Sequence, residues 1–360
     1  MSEWTKKFNP FNSDKLFSHV YRWRERPLAA PATITVDPSN SCNLDCSWCN
    51  SQSVRQSDSS LLDTEIMREL PKFLGNWSKS KKYPGVESVC IAGGGEPLTH
   101  PYVQEFVEGL DLYDIKAGVI TNGVLLDRVD LSSAEWIGVS VDAGTKETFE
   151  KLKGKDLFGR VIRNLEGVVN KGNLGQPGQG HGVSYKYLLH PENVGEVYEA
   201  ARIAKQSGCR NLHIRPFGNP WDRDLKTPFS YSDIQEFREQ LERARELEDD
   251  TFGVFGITHK FDGDLRKSND FERCNAVLMT AAIQPAKKGF NYGHCCDRRG
   301  DPNLTIHMDS LKEIRDYWGS DEHLAKADID PKSCPRCTYQ PHNKIYEKAI
   351  KEDNTTYEFI

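Results

Sequence analysis

No apolar run in the chain approaches the ~20 residues that cross a bilayer, and residues 1–26 lack the apolar centre of an export signal. The sequence therefore reads as that of a cytoplasmic protein without a membrane partner. Cationic excess is missing too: 47 Lys and Arg stand against 53 Asp and Glu, a net charge of −6, so no general attraction for nucleic acid is expected. Internal repeats are absent beyond an alternation of strand-like and helix-like segments. No fourth cysteine lies near Cys42, Cys46 and Cys49, and no histidine lies between Cys49 and His100.

What is present is the balance of a soluble globular chain, 28% charged and 37% apolar, and 360 residues suffice for one large domain and a small one. Ten cysteines without an export signal read as metal ligands, since the cytosol keeps thiols reduced. Residues 1–30 form a lead-in whose aromatics, Trp4, Phe8, Phe11 and Trp23 among them, are expected to pack on the fold while its Lys and Arg reach water.

Runs at 32–36, 86–92, 116–120, 136–141, 182–189 and 211–215 have strand character, and segments 64–74, 102–110, 148–152, 158–170 and 192–207 have helical spacing. That order implies a parallel sheet with right-handed crossovers. The expected fold is α/β: a partial (β/α)6 TIM-like barrel over 31–217, with its chemistry at the C-terminal ends of the strands. Cys90 and Cys209 read as small core residues within strands. Residues 172–182 hold five glycines and a proline and read as a loop. Residues 218–250 are expected to link the barrel to a smaller α+β unit over 251–345, through a helix opened by a capping box from Ser232 to Gln235. Strand character returns at 251–258 and 276–284, and 346–360 is a tail.

Directly after the first strand, Cys42, Cys46 and Cys49 stand in C-x3-C-x2-C spacing, in surroundings too polar for a core. Thiolates are the soft donors that iron in clusters prefers, and a four-iron cubane on three cysteines keeps one iron open. A zinc site, which usually wants a second C-x2-C pair or histidines, and unligated surface thiols are the alternatives.

This spacing, with Trp48 before the last cysteine and Gly94-Gly95-Glu96-Pro97 after the second strand, resembles the radical S-adenosylmethionine (radical SAM) enzymes. The resemblance implies a [4Fe-4S] cluster on Cys42, Cys46 and Cys49 whose open iron is chelated by the amino and carboxylate groups of S-adenosylmethionine (SAM). It implies that Gly94 and Gly95 allow close backbone approach and that Glu96 accepts hydrogen bonds from the SAM amino group. Ser140 and Asp142 are similar to the family's ribose-contacting segment, with a helix cap as the alternative. Thr121 and Asn122 resemble its third-strand end, with an ordinary turn as the alternative. Trp48 would support the adenine edge or shield the cluster. Lys186 and Arg215 are the candidate catalytic residues, to meet an anionic group if they face the barrel interior.

Cys274, Cys295, Cys334 and Cys337, with Gly289 and Gly293 in a hairpin, resemble the twitch form of the SPASM-related extension and imply an auxiliary [4Fe-4S] cluster. One extra residue between Gly289 and Cys295 leaves Cys296 as an alternative ligand, and a four-thiolate zinc site is the alternative metal. The implied activity is reductive cleavage of SAM to a 5′-deoxyadenosyl radical that removes hydrogen from a substrate. A small polar molecule is expected, oxidised with the auxiliary cluster as electron acceptor, and a flavodoxin- or ferredoxin-type protein as electron donor. Peptide maturation and epimerisation are alternatives within the family. An electron-transfer protein and a zinc-stabilised binding module are alternatives outside it.

Overall fold

The strands form because their alternate residues divide between two surroundings. In β1 (Thr33–Val36), Ile34 and Val36 enter the apolar core while Thr33 and Thr35 face a cavity within the sheet's curve. β2 (Ser88–Ile91), β3 (Lys116–Thr121), β4 (Trp136–Ser140), β5 (Gly182–Leu189) and β6 (Asn211–Pro216) repeat the division. Val89, Val119, Val139, Tyr187 and Ile214 are core, whereas Cys90, Ile120, Ser140, Leu188 and Arg215 line the cavity. Each fully buried aliphatic side chain contributes about 1.5–3 kcal/mol. The structure is a computed structural model, described over residues 22, 29–79, 85–171, 182–224, 229–256 and 271–351.

Strands β1 to β6 pair in parallel, each with the next, and β7 (Gly253–Gly256) adds in parallel to β6. On the other edge β8 (Ala282–Pro285) pairs in parallel with β1, and β9 (Phe290–Gly293) and β10 (Thr305–Met308) continue antiparallel. The result among the described residues is a ten-stranded sheet of order β10-β9-β8-β1-β2-β3-β4-β5-β6-β7. Helices α1 (Gln52–Ser57), α2 (Thr64–Asn76), α3 (Val103–Asp111), α4 (Lys146–Lys153), α5 (Phe158–Asn170), α6 (Val197–Gln206) and α7 (Tyr231–Arg245) intervene between the parallel strands. α8 (Leu311–Tyr317), α9 (Asp321–Ala325) and α10 (Gln340–Lys351) follow the last strand. No helix among the described residues is long and apolar enough to cross a membrane.

Four expectations change. The strand expected at 251–258 joins the barrel sheet beside β6, so the sheet runs on unbroken past residue 250. Residues 276–284 are not one strand: a 3-10 turn, Asn275–Leu278, comes first and buries Ala276, Val277 and Leu278 with Met279, Ala327 and Tyr346 in a second small core. Helix α7 is capped by Ser230, whose hydroxyl accepts from the Asp233 N–H at 3.1 Å while Asp233 accepts from the Ser230 N–H at 2.6 Å. Cys90, expected in the core, faces the cavity instead because Val89 and Ile91 take the outward positions of β2. Cys209 is buried, as expected. The lead-in except for Arg22 and residues 29–30, the loop at 172–181 and residues 352–360 of the tail lie outside the described residues.

Candidate functional site

The cysteine loop follows β1 and is gripped from two sides. The glycine turn after β2 donates to it, Gly95 N to Ser39 O at 2.8 Å and Glu96 N to Ser41 O at 2.7 Å. A Cβ on Gly95 would stand 2.0 Å from the Ser41 carbonyl oxygen, and one on Gly94 2.6 Å from Asn40 Oδ1, so these glycines allow two loops to touch. From the other side Ser47 N and Asp45 N donate to the carbonyls of Leu152 and Lys153, at 3.2 and 3.1 Å. Those carbonyls end α4 and have no partner within the helix. Gly154 stops α4 in a left-handed conformation at φ 74°, and a Cβ there would stand 2.8 Å from Asp45 O.

The loop presents Cys42, Cys46 and Cys49 to a cavity of about 1410 Å³. None of the ten cysteines is in a disulfide. Nitrogen donors surround the sulfurs: Leu44 N at 3.5 Å and Asn122 Nδ2 at 3.8 Å from Cys42 Sγ, Arg55 Nη1 at 3.6 Å from Cys49 Sγ. Burial pushes the Cys46 thiol up to about 11, with the Lys153 ammonium pulling against it. Among the described residues no group of three or more His, Cys, Asp or Glu side chains is set to hold one metal ion. Three soft sulfurs with N–H donors and two cations around them fit an anionic cluster held by thiolates.

Glu96 is buried and already well occupied. Its carboxylate accepts from Thr121 Oγ1 at 2.6 Å, Asn122 N at 2.7 Å and Leu98 N at 3.1 Å. Asn122 passes the order on, donating to Asn43 Oδ1 at 2.6 Å within the cysteine loop. Ser140 lies on the cavity wall. Asp142 does not: at φ 60° its carboxylate pairs with Lys153 and accepts from Leu188 N at 2.6 Å. Trp48 is likewise off the wall and stacks on His190 with ring centroids 5.1 Å apart. Sequence reasoning missed Lys153, Arg55 and Asn43. Only the glycine stop after Lys153 hinted at a helix end there, and nothing local pointed that end at the cysteines.

Arg215 lines the cavity, but Lys186 lies beneath it. Lys186 Nζ is 2.7 Å from His213 Nδ1 and 4.9 Å from the Trp136 ring centroid. Gly138 gives it room, since a Cβ there would stand 2.7 Å from Lys186 Cε. Burial, then the nearby Arg215 charge, pushes the Lys186 ammonium down from its ordinary 10.5 to about 7. Between those values the unfolded chain holds a proton that the native state has shed, so stability rises with pH across that window. In Lys186→Met that contribution should vanish: from pH 7 to 9 the wild-type urea midpoint should climb relative to the variant's. Parallel profiles would mean the amine stays protonated in the native state.

Burial pushes the Cys274 thiol up to about 11 and raises those of Cys295 and Cys337. Arg298 Nη1 donates to Cys334 Sγ at 3.6 Å. Cys296 lies on the cavity wall, where its thiol donates to the Tyr339 hydroxyl at 3.7 Å. Cys334 and Cys337 also reach that wall.

The family model of the Radical SAM superfamily matches residues 36–204, from the end of β1 through the cysteine loop into α6. Over that stretch, just under half of the 360 residues, the chain is similar to the radical SAM superfamily. Probable GTP 3′,8-cyclases of Saccharolobus islandicus are 26% identical over 223 residues, 61% of this chain and 66% of the cyclase. Mycofactocin maturase MftC of Mycobacterium tuberculosis is 27% identical over 205 residues, 55% of this chain and 48% of MftC. The matches thus cover under two thirds of those relatives' lengths. Streptococcus suis SuiB bound to S-adenosylmethionine superposes with a TM-score of 0.61 at 15% identity, over 87% of this chain and 71% of SuiB. Native anSMEcpe with bound AdoMet superposes at 0.57 and 17% identity, over 87% and 89%. At such identities the likeness speaks for the fold, an α/β radical SAM barrel continued by C-terminal structure.

Proposed function

We propose that this radical SAM protein cleaves SAM reductively at a [4Fe-4S] cluster on Cys42, Cys46 and Cys49 and oxidises a small polar substrate by removing a hydrogen atom. One observation carries the reading: Cys42, Cys46 and Cys49 line the same cavity as Cys334 and Cys337. At about 1410 Å³ it exceeds the ~300–1,000 Å³ of an ordinary ligand pocket, which suits a cofactor and a substrate together. When bound, the first cluster supplies the electron that splits SAM into methionine and a 5′-deoxyadenosyl radical, and an auxiliary cluster on Cys274, Cys295, Cys334 and Cys337 supplies an acceptor for the electron left on the substrate. A flavodoxin- or ferredoxin-type protein of the cytoplasm is the proposed electron donor.

The chain's own residues hold and shield this arrangement. Asn122, Arg55 and Lys153 offset negative charge at the three sulfurs. Glu96 keeps the ends of β2 and β3 together, and its carboxylate has about four acceptor sites for three protein donors, leaving one for the SAM ammonium. Ser140 on the wall is the remaining candidate for a ribose contact, while Asp142 acts through Lys153. Anaerobic protein given SAM and dithionite should form 5′-deoxyadenosine and carry deuterium into it from a deuterated substrate. Full iron content without 5′-deoxyadenosine would favour an electron-transfer protein, zinc with little iron a zinc-stabilised module, and deuterium arriving only from a peptide a maturase.

A redox-neutral inversion is the second reading, favoured by the Cys296 thiol on the cavity wall beside the Tyr339 hydroxyl. There it is placed to return a hydrogen atom to a substrate radical, the thiyl radical left on Cys296 being restored to the thiol by one electron from the proposed donor protein and a proton. Reaction in D2O would then put deuterium on the attacked carbon, and Cys296→Ser would form 5′-deoxyadenosine without inverted product. An oxidised product free of solvent deuterium would eliminate this reading.

A further inference from the structure

We propose that Arg215, with Arg336 beside it, forms a subsite for one anionic oxygen group of the substrate, a carboxylate or a phosphate, and that Asp297 limits the negative charge this subsite accepts. The inference rests on the barrel cavity being the substrate site, as proposed above, and names the substrate class. Arg215 ends β6 on the cavity wall and makes no hydrogen bond or ion pair with the described residues. A guanidinium stays charged at any pH the cell reaches, and taking it from water without a partner is costly. An anion entering the cavity would remove that cost.

The neighbours define how much charge is wanted. Arg336 belongs to the turn between Cys334 and Cys337 and reaches the same wall. Its Nη2 is 2.8 Å from Asp297 Oδ1, and Asp297 Oδ2 accepts from Thr338 N at 2.7 Å, so both oxygens of Asp297 are engaged. Arg215 feels the charges of Asp297 and Arg336 without pairing to either. Two guanidinium groups against one carboxylate leave a single positive charge facing the cavity. The planar fork of arginine matches paired oxygens of a carboxylate or phosphate. Around Cys42, Cys46 and Cys49 the cations are Arg55 and Lys153 instead, so the methionine carboxylate of SAM has its own candidates.

Phenylglyoxal labelling of the anaerobic holoprotein, read by peptide mass spectrometry, tests this with inorganic phosphate, acetate, chloride at equal ionic strength, and SAM as separate additions. Arg215 should label in the free holoprotein and be protected by phosphate or by acetate, whichever is the better mimic, but not by chloride or SAM. Asp297→Asn, which keeps an acceptor for Thr338 N, should lower the half-protecting phosphate concentration about tenfold, as removal of one nearby charge implies. Protection by SAM alone would hand Arg215 to the cofactor and overturn the proposal, as would labelling indifferent to every anion. 5′-Deoxyadenosine formation by the same preparation reports separately on the proposed function.

Discussion

Cys46→Ala should leave about four irons and four sulfides per chain in place of about eight, with 5′-deoxyadenosine formation reduced to background. Among the three loop cysteines Cys46 is the informative one to remove. Its sulfur makes no hydrogen bond with the described residues, whereas Cys42 accepts from Leu44 and Asn122 and Cys49 from Arg55. Cys46 packs partly buried against the core, so alanine trims little and the loop keeps its backbone bonds to Leu152 and Lys153. The loss should therefore be of ligation and not of fold. Cys337→Ala makes the complementary case, retaining about four irons and SAM cleavage. Undiminished 5′-deoxyadenosine from Cys46→Ala would remove the three-thiolate site from the mechanism.

Gly95→Ala should be nearly as damaging although it removes no ligand. The new Cβ would meet the Ser41 oxygen at 2.0 Å and the backbone carbons of Asn40 and Ser41 at 2.6 Å. Backbone cannot swing aside as a side-chain tip does, so the cysteine loop must move. Overpacking of this kind costs about 1–3 kcal/mol, and two backbone hydrogen bonds, to Ser39 and Ser41, are lost at roughly 1 kcal/mol each. Displaced by a fraction of an ångström, the three sulfurs no longer meet one cluster. Iron should fall toward half and the denaturation midpoint should drop. Gly167→Ala is the control: its Cβ meets nothing within 4 Å on α5, and alanine there should stabilise by about 0.5–1 kcal/mol. If Gly95→Ala kept its iron and its midpoint, the turn would not be what positions the loop.

The cysteine spacing, the glycine turn and the strand ends were readable because each is a short contiguous pattern. Asp142 was misplaced for the opposite reason. Its partner Lys153 lies on α4, and only the docking of that helix end onto the cysteine loop turns the carboxylate away from the cavity. Trp48 shares this cause, since His190 comes from beyond β5 to stack on it. Of the adjacent Cys295 and Cys296, Cys296 lies on the cavity wall with its thiol donating to the Tyr339 hydroxyl, a contact across 43 residues of chain that no local pattern announces.

By itself the sequence determined the β/α order and which cysteines stand close, because hydrophobic periods and ligand spacing act over a few residues. Only the tertiary structure decided which side chains look into the cavity: Arg215 on its wall, Lys186 below it, Cys90 inward. Strand register, curvature and loop docking set those directions, and they arise from contacts between segments far apart along the chain.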